Sequence, residues 1–319
     1  MASDFPADFQ AMRQGDGTVA AKVLREMIFY TSSLTVEDYD ALLALYLRYC
    51  PPDRNRLFMI PELSWWSSVA DPMLTMSARA VRGKPLAEFE AVRHRIEKHR
   101  WFFSKLWDGL KIDAPEGSWS LDIQRRRAPE DGWMGYVRFL MPIDVPDDTH
   151  LALAREVIDT IPFISGHGGL CFTYLPDWKA SAFDLIYAKA ARFLGVDIED
   201  LAVTLPHMRA ELKPPCWLNA LGRDPVWSTK LWRQLCALPE TSDARVYHER
   251  FGLLVQLSDG PRLFDVNRRE EPTTAYRQYD AAISGVRLRD IGTFSGPRFY
   301  ANPDSTGEWL SRFSTVGSA

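Results

Sequence analysis

The chain has 319 residues, 46% of them hydrophobic and 25% charged, an ordinary globular composition that excludes collagen, a coiled coil and a wholly disordered chain. It is long enough for one large domain or two, and for a core that needs no disulfide or metal staples. Lys+Arg 38 against Asp+Glu 42 gives a net charge of -4, which argues against a protein that coats nucleic acid, because counterion release needs a basic surface.

Residues 1–20 are polar and read as a flexible N-terminal arm. Val23 to Tyr30 reads as a strand, and Thr35 with Asp38 three residues on forms a weakened capping box for a helix over 36–50 that Pro51-Pro52 stops. Leu57–Ile60 is a short strand. Residues 61–84, with Pro61, Trp65-Trp66, Pro72 and Gly83, read as irregular, and 85–107 reads as a helix with Phe89, Val92, Ile96, Phe103 and Leu106 on one face. The alternation of Trp119–Gln124 predicts a half-buried strand, Asp131-Gly132 a turn, and Gly135–Ile143 an antiparallel partner. Thr149 is the expected cap of a helix through Ile161. A strand over 168–174 follows, then a helix over 181–194 with Gly195 as its C′ residue.

Downstream, Cys216-Trp217-Leu218 reads as a strand, 229–238 as a short helix, Tyr247–Leu257 as a strand and Ser258-Asp259-Gly260-Pro261 as a turn. Helices over 273–283 and 305–313 close the chain. The predicted class is α+β: mixed, largely antiparallel sheets packed with helices in one compact domain over 21–319. The strand–helix–strand order of 23–60 resembles that of 135–174, leaving open two similar halves.

Cys50, Cys171, Cys216 and Cys236 lack C-x-x-C spacing and read as small buried hydrophobes in a reducing compartment. The start, Met1-Ala2-Ser3-Asp4-Phe5, has neither basic nor apolar signal regions, and no run approaches about 18 apolar residues, so a cytoplasmic address with no membrane partner is expected. Gly166-His167-Gly168-Gly169 has the look of an oxyanion-hole loop, but no G-x-S-x-G elbow accompanies it; the plainer reading is glycines that let backbones pack closely. His94 and His99 are five apart and cannot share a zinc-binding helix face, and His150, His167, His207 and His248 add no ligand spacing, so no metal is expected. No phosphate-binding glycine loop occurs, and no cofactor is expected. Arg125-Arg126-Arg127 is the one tight basic run. Asp144, Asp147 and Asp148, and then Asp197, Glu199 and Asp200, are acidic clusters that serve either helix N-termini or a surface for a basic partner.

Several segments together resemble the bacterial type VI secretion immunity proteins, including those that neutralise VRR-Nuc nuclease effectors. The family's Ser/His-Gly-Tyr/His-Ala/Gly-Gly-Leu stretch is matched by Ser165-Gly166-His167-Gly168-Gly169-Leu170. Its later lysine followed by Trp-Leu-Thr-x-Leu-Gly is matched by Lys213, Trp217, Leu218 and Gly222, with Asn219 where threonine is common and Pro214-Pro215 replacing a glycine-containing pair. Arg192–Ile198, Asp265-Val266-Asn267 and the helix with Tyr276 also fit, so the likeness spans roughly residues 20–300. It implies a non-enzymatic inhibitor whose partner is a cognate toxin, blocked at its active site, with no direct nucleic-acid contact. The rival readings are a hydrolase using the Gly166–Gly169 loop and a structural subunit of a secretion system or phage.

Overall fold

The computed structural model describes residues 5–6, 9, 11–50, 56–60, 84–85, 101–107, 119–126, 134–174 and 179–314. In chain order the elements are β1 (Met12–Arg13), β2 (Val19–Thr31), α1 (Val36–Tyr49), β3 (Arg56–Ile60), β4 (Lys84–Pro85), β5 (Trp101–Trp107), β6 (Ser120–Arg126), β7 (Gly135–Met141), α2 (Asp147–Thr160) and β8 (Ser165–Tyr174). There follow α3 (Lys179–Ala190), β9 (Val196–Ile198), α4 (Leu201–Thr204), β10 (Leu218–Gly222), α5 (Thr229–Cys236), β11 (Arg245–Glu249), β12 (Gly252–Gln256), α6 (Thr274–Ile283), α7 (Pro297–Ala301) and α8 (Asp304–Leu310).

Among the described residues the strands form one continuous sheet in the order β11-β12-β10-β8-β2-β7-β6-β5-β3-β4, with β1 beside β2 and β9 beside β8. Every pairing is antiparallel except β8–β9. The α+β class therefore holds, with a single sheet. β2 is its spine: it pairs with β8 from Ala21 to Tyr30 and with β7 from Arg25 to Thr31. β2 is buried along nearly its whole length, with Lys22, Arg25 and Glu26 set among its apolar residues. One face packs under α1 and α2 through Met27, Phe29, Leu42, Tyr46, Leu153 and Val157. The other packs under α3, α5, α6 and the C-terminal helices through Tyr30, Phe172, Phe183, Leu231, Tyr276 and Trp309.

α1 forms where its local chemistry says it should. Thr35 Oγ1 accepts from the Asp38 amide at 3.1 Å, and Asp38 Oδ2 accepts from the Thr35 amide at 2.9 Å, a complete capping box. The expected antiparallel pair of 119–125 with 135–143 is β6–β7. Other boundaries differ. Residues 101–107, read as the end of a helix, are β5, because their aromatic run pairs with both β3 and β6. The rest of that reading, the irregular segment with Trp65-Trp66, and the Asp131-Gly132 turn lie outside the described residues. Within the segment read as a loose arm, Phe9 is fully buried against Phe172 and Phe193, and β1 pairs with β2, so those residues are anchored.

α2 begins at Asp147, two residues ahead of the expected Thr149 cap, with Pro146 at its N-cap. α3 stops at Ala190, so Gly195 is not its C′ residue. Gly195 is glycine because a Cβ there would run into the Arg262 carbonyl, while its amide donates to Leu263 O at 2.9 Å. Tyr247–Leu257 is a hairpin of two strands, and the closing helix expected over 305–313 is α8, with the short α7 ahead of it.

Candidate functional site

Gly166-His167-Gly168-Gly169 is no loop. It lies inside β8, hydrogen-bonded to β2 on one side and to β10 on the other, so its amides are spent in the sheet and are not free to face an oxyanion. The glycines are there for space: a Cβ on Gly166 would stand 2.6 Å from Ile28 O, and one on Gly168 2.8 Å from Glu26 O. Gly169, at φ +155°, marks the point where the outer neighbour of β8 changes from antiparallel β10 to parallel β9.

From this strand His167 projects into a buried charge cluster. Its Nε2 lies 3.2 Å from Asp197 Oδ2 and 3.3 Å from Glu199 Oε2, carboxylates carried by β9 and the residue after it. Lys213, just ahead of β10, brings its ammonium to 3.1 Å from Asp197 and 3.3 Å from Glu199, and donates to Ile198 O at 2.9 Å. Thr204 of α4 donates to Glu199 at 2.7 Å, and Tyr30 of β2 stacks on the imidazole with ring centres 5.8 Å apart. Arg312, after α8, sits 3.9 Å from Asp197 and over the Trp309 ring. None of the five charged side chains is more than 4% exposed.

Burial alone would raise both acids. The Lys213 ammonium, His167 and, at Asp197, Arg312 override it and hold Asp197 and Glu199 below the usual carboxylate range. Lys213 runs the other way: burial would lower its pKa, and the two carboxylates raise it. Burial likewise disfavours the His167 imidazolium, yet hydrogen bonds to Asp197 and Glu199 carry its pKa above the ordinary value. Burial brings Arg312 down to about 10, with Asp197 opposing.

Glu26, His167, Asp197 and Glu199 bring ligand atoms within 4.8 Å of one another, close enough to hold a cation. Three carboxylates there, Glu26, Asp197 and Glu199, already meet three cations: Arg138 pairs with Glu26, Lys213 with both other acids, and Arg312 faces Asp197. An entering metal ion would have to displace one of these. The arrangement is suited to welding β8, β9, the Lys213 segment and the C-terminus together.

The structure thus joins three of the sequence-singled segments and corrects the reading of one. Asp197, Glu199 and Asp200 are buried, not a surface for a basic partner. They sit inward because each has internal donors; Asp200 accepts from Lys179 at 2.8 Å and from Ser295 Oγ at 2.7 Å. Asp144 and Asp148 are exposed, while Asp147 pairs with buried Arg25 at 2.7 Å. His94, His99 and Arg127 lie outside the described residues; Arg125 is buried in β6. His150 is buried against Trp217, and burial pushes it down to about 3, which keeps it neutral.

The second motif also turns its side chains inward. Asn219 clamps the backbone at Cys216 from both sides, accepting from its amide at 3.0 Å and donating to its carbonyl at 2.7 Å. Trp217 is buried and donates to Ser258 O at 2.7 Å. Leu218 is fully buried, and a Cβ on Gly222 would meet the Phe163 carbonyl. Sequence reasoning missed Glu26, Arg138 and Arg312. The signal for the first two was available: charges such as Glu26 in β2 and Arg138 in β7, set among mostly apolar strand residues, have to be paired.

The family model described as TsiV, type VI immunity for VRR-NUC, matches residues 61–313. Among solved structures, the T6SS protein PA0821 of Pseudomonas aeruginosa is similar in fold, with a TM-score of 0.70 at 17% identity, covering 95% of this chain and 85% of that one. No curated protein matches the sequence.

Proposed function

We propose, since the chain belongs to the type VI immunity family for VRR-NUC, that it binds a VRR-NUC toxin and neutralises it by occluding the toxin's active site, with no catalysis of its own. The observation that supports this for the present chain is the closed state of its charge cluster. His167, Asp197 and Lys213 of the resemblance segments, with Glu199 beside them, are paired with one another in the core. Their work is to hold the fold, which leaves recognition to the surface. A partner interface of about 1,600 Å² with a few buried anchors is ample for a stable complex. Among the described residues no helix is long and apolar enough to cross a membrane.

The test is co-expression of the full chain with a VRR-NUC toxin encoded beside it. Growth rescue together with a stoichiometric complex is the expected result, and failure of both would sink the reading. His167→Gln separates inhibitor from enzyme: an inhibitor that still folds still protects, whereas an enzyme dependent on His167 binds its target and fails to protect.

A further inference from the structure

Among the described residues, β11 is the last strand at one end of the sheet, paired on one side only, with β12. Which of its backbone groups are free follows from the ladder. Leu257 N donates to Trp217 O, so odd-numbered residues of β12 bond to β10 and even-numbered ones face β11. Arg245, Tyr247 and Glu249 then spend their amides and carbonyls on Gln256, Leu254 and Gly252, while those of Val246 and His248 point away from the sheet. Among the described residues, no hydrogen bond reaches those outward groups. The edge has an unbroken register, no proline and no bulge, and His248 is exposed; its charges stand only at the two ends, Arg245 and Glu249.

We propose that this edge pairs with the same edge of a second copy of the chain, antiparallel about a two-fold axis at Tyr247. The sequence Arg245-Val246-Tyr247-His248-Glu249 is self-complementary in that register. The outward-facing Val246 meets the outward-facing His248 of the partner, giving four backbone hydrogen bonds. Arg245 stands opposite the partner's Glu249, and Glu249 opposite the partner's Arg245. Each charge already has an internal neighbour of opposite sign: Arg245 pairs with Asp259 and Glu249 with Arg155. Across the two-fold the signs therefore alternate, Asp259, Arg245, Glu249 of the partner subunit, Arg155 of the partner subunit. Charges placed to repel a second edge would carry one sign at both positions, and here they do not.

The test is the mass of the full-length chain in solution, by light scattering and sedimentation, across a wide concentration range and at low and high salt. A dimer that weakens with salt is expected. Arg245→Glu places glutamates opposite one another, and Glu249→Arg places arginines opposite one another, so each variant alone should self-associate at least about tenfold more weakly. Mixed together, the two should form a heterodimer in which both pairs attract again. His248→Pro, tolerated where the amide faces solvent, should also abolish self-association while leaving the melt cooperative. A wild-type chain that is monomeric throughout overturns the proposal. So do variants that melt normally yet dimerise like wild type, a mixture that fails to associate, or loss of toxin binding by Arg245→Glu from an already monomeric chain, which would give the edge to a toxin strand.

Discussion

At the scale of single residues, the charge cluster ties stability to pH in a direction that follows from its pKa values. Asp197 and Glu199 are held low, so the stability they add is complete above the unfolded carboxylate value and is lost as pH falls; for Glu199 the window runs from 4.5 down to about 2. His167 is held high, so its contribution is complete below its ordinary value of 6.5 and is lost as pH rises through the folded value. Lys213→Met removes the cation from two buried acids and should cost about 3–5 kcal/mol near neutral pH. Without the ammonium, burial drives both acids up and they protonate sooner. The deficit against wild type should therefore shrink on acidification, as read from denaturant midpoints between pH 7 and pH 3. A deficit that stays constant over that range would mean Lys213 acts by packing alone. Gly168 makes a second residue-level claim: Gly168→Ala forces a Cβ against the Glu26 carbonyl of the neighbouring strand and should cost about 1–3 kcal/mol. A midpoint equal to wild type would show that β2 and β8 part without strain.

At the scale of elements, the N-terminus of α2 separates two roles that the sequence left entangled. Asp147 is the partner of buried Arg25, so Asp147→Asn should lower the thermal midpoint by an amount worth about 1 kcal/mol, the exposed half of the pair being screened. Asp148 is exposed, its carboxylate accepting from the Thr149 amide. Its removal should leave the melt within about 0.5 kcal/mol of wild type. If the partner's cleft is basic, as a nuclease's must be to hold phosphate, Asp148→Asn should slow association and flatten its salt dependence. An unchanged association rate at low salt takes Asp148 out of the steering surface. Trp217→Ala, which empties a large site beneath α2, should cost about 3–5 kcal/mol and lower soluble yield before it affects recognition. Elements fixed by their own residues were legible in sequence: α1 through Thr35 and Asp38, and β6 through the alternation of Trp119–Gln124, with β7 as its expected partner. Those fixed by distant partners were not. The aromatic run of β5 fits a helix face as well as a strand until β3 and β6 lie beside it. The β11–β12 turn carries no asparagine–glycine signal because neither Arg250 nor Phe251 adopts positive φ; Asp159 of α2 accepts from the Arg250 amide there. The site was visible as motifs but not as a cluster, since His167, Asp197, Glu199, Lys213 and Arg312 meet only once β9 has turned back along β8.

At the scale of the whole molecule, the C-terminus is a keystone rather than an appendage. Arg312 donates to Leu194 O at 2.7 Å and to Trp309 O at 2.9 Å while facing Asp197, so the last described turn closes over the charge cluster from the side opposite the sheet. Phe313 packs on Phe264 and Tyr276, with ring centres 5.9 and 5.3 Å away, and Arg287 joins Asp280 to Ser314. Trp309, Leu310 and Phe313 are all buried. Removing one large buried aromatic costs about 3–5 kcal/mol, and a whole domain is stable by only about 5–15 kcal/mol. A chain ending at residue 296 loses three such aromatics, Phe299, Trp309 and Phe313, and with them a cation facing Asp197. It should therefore show no cooperative melt, should be digested by protease at concentrations that leave the full chain intact, and should fail to protect against a toxin. Arg312→Gln asks the same question without the packing loss: it should lower the midpoint while keeping one cooperative transition. If the truncated chain instead melts as sharply as the full one, the segment over 297–314 is a separate outer layer, and the cluster around His167 is held shut without Arg312.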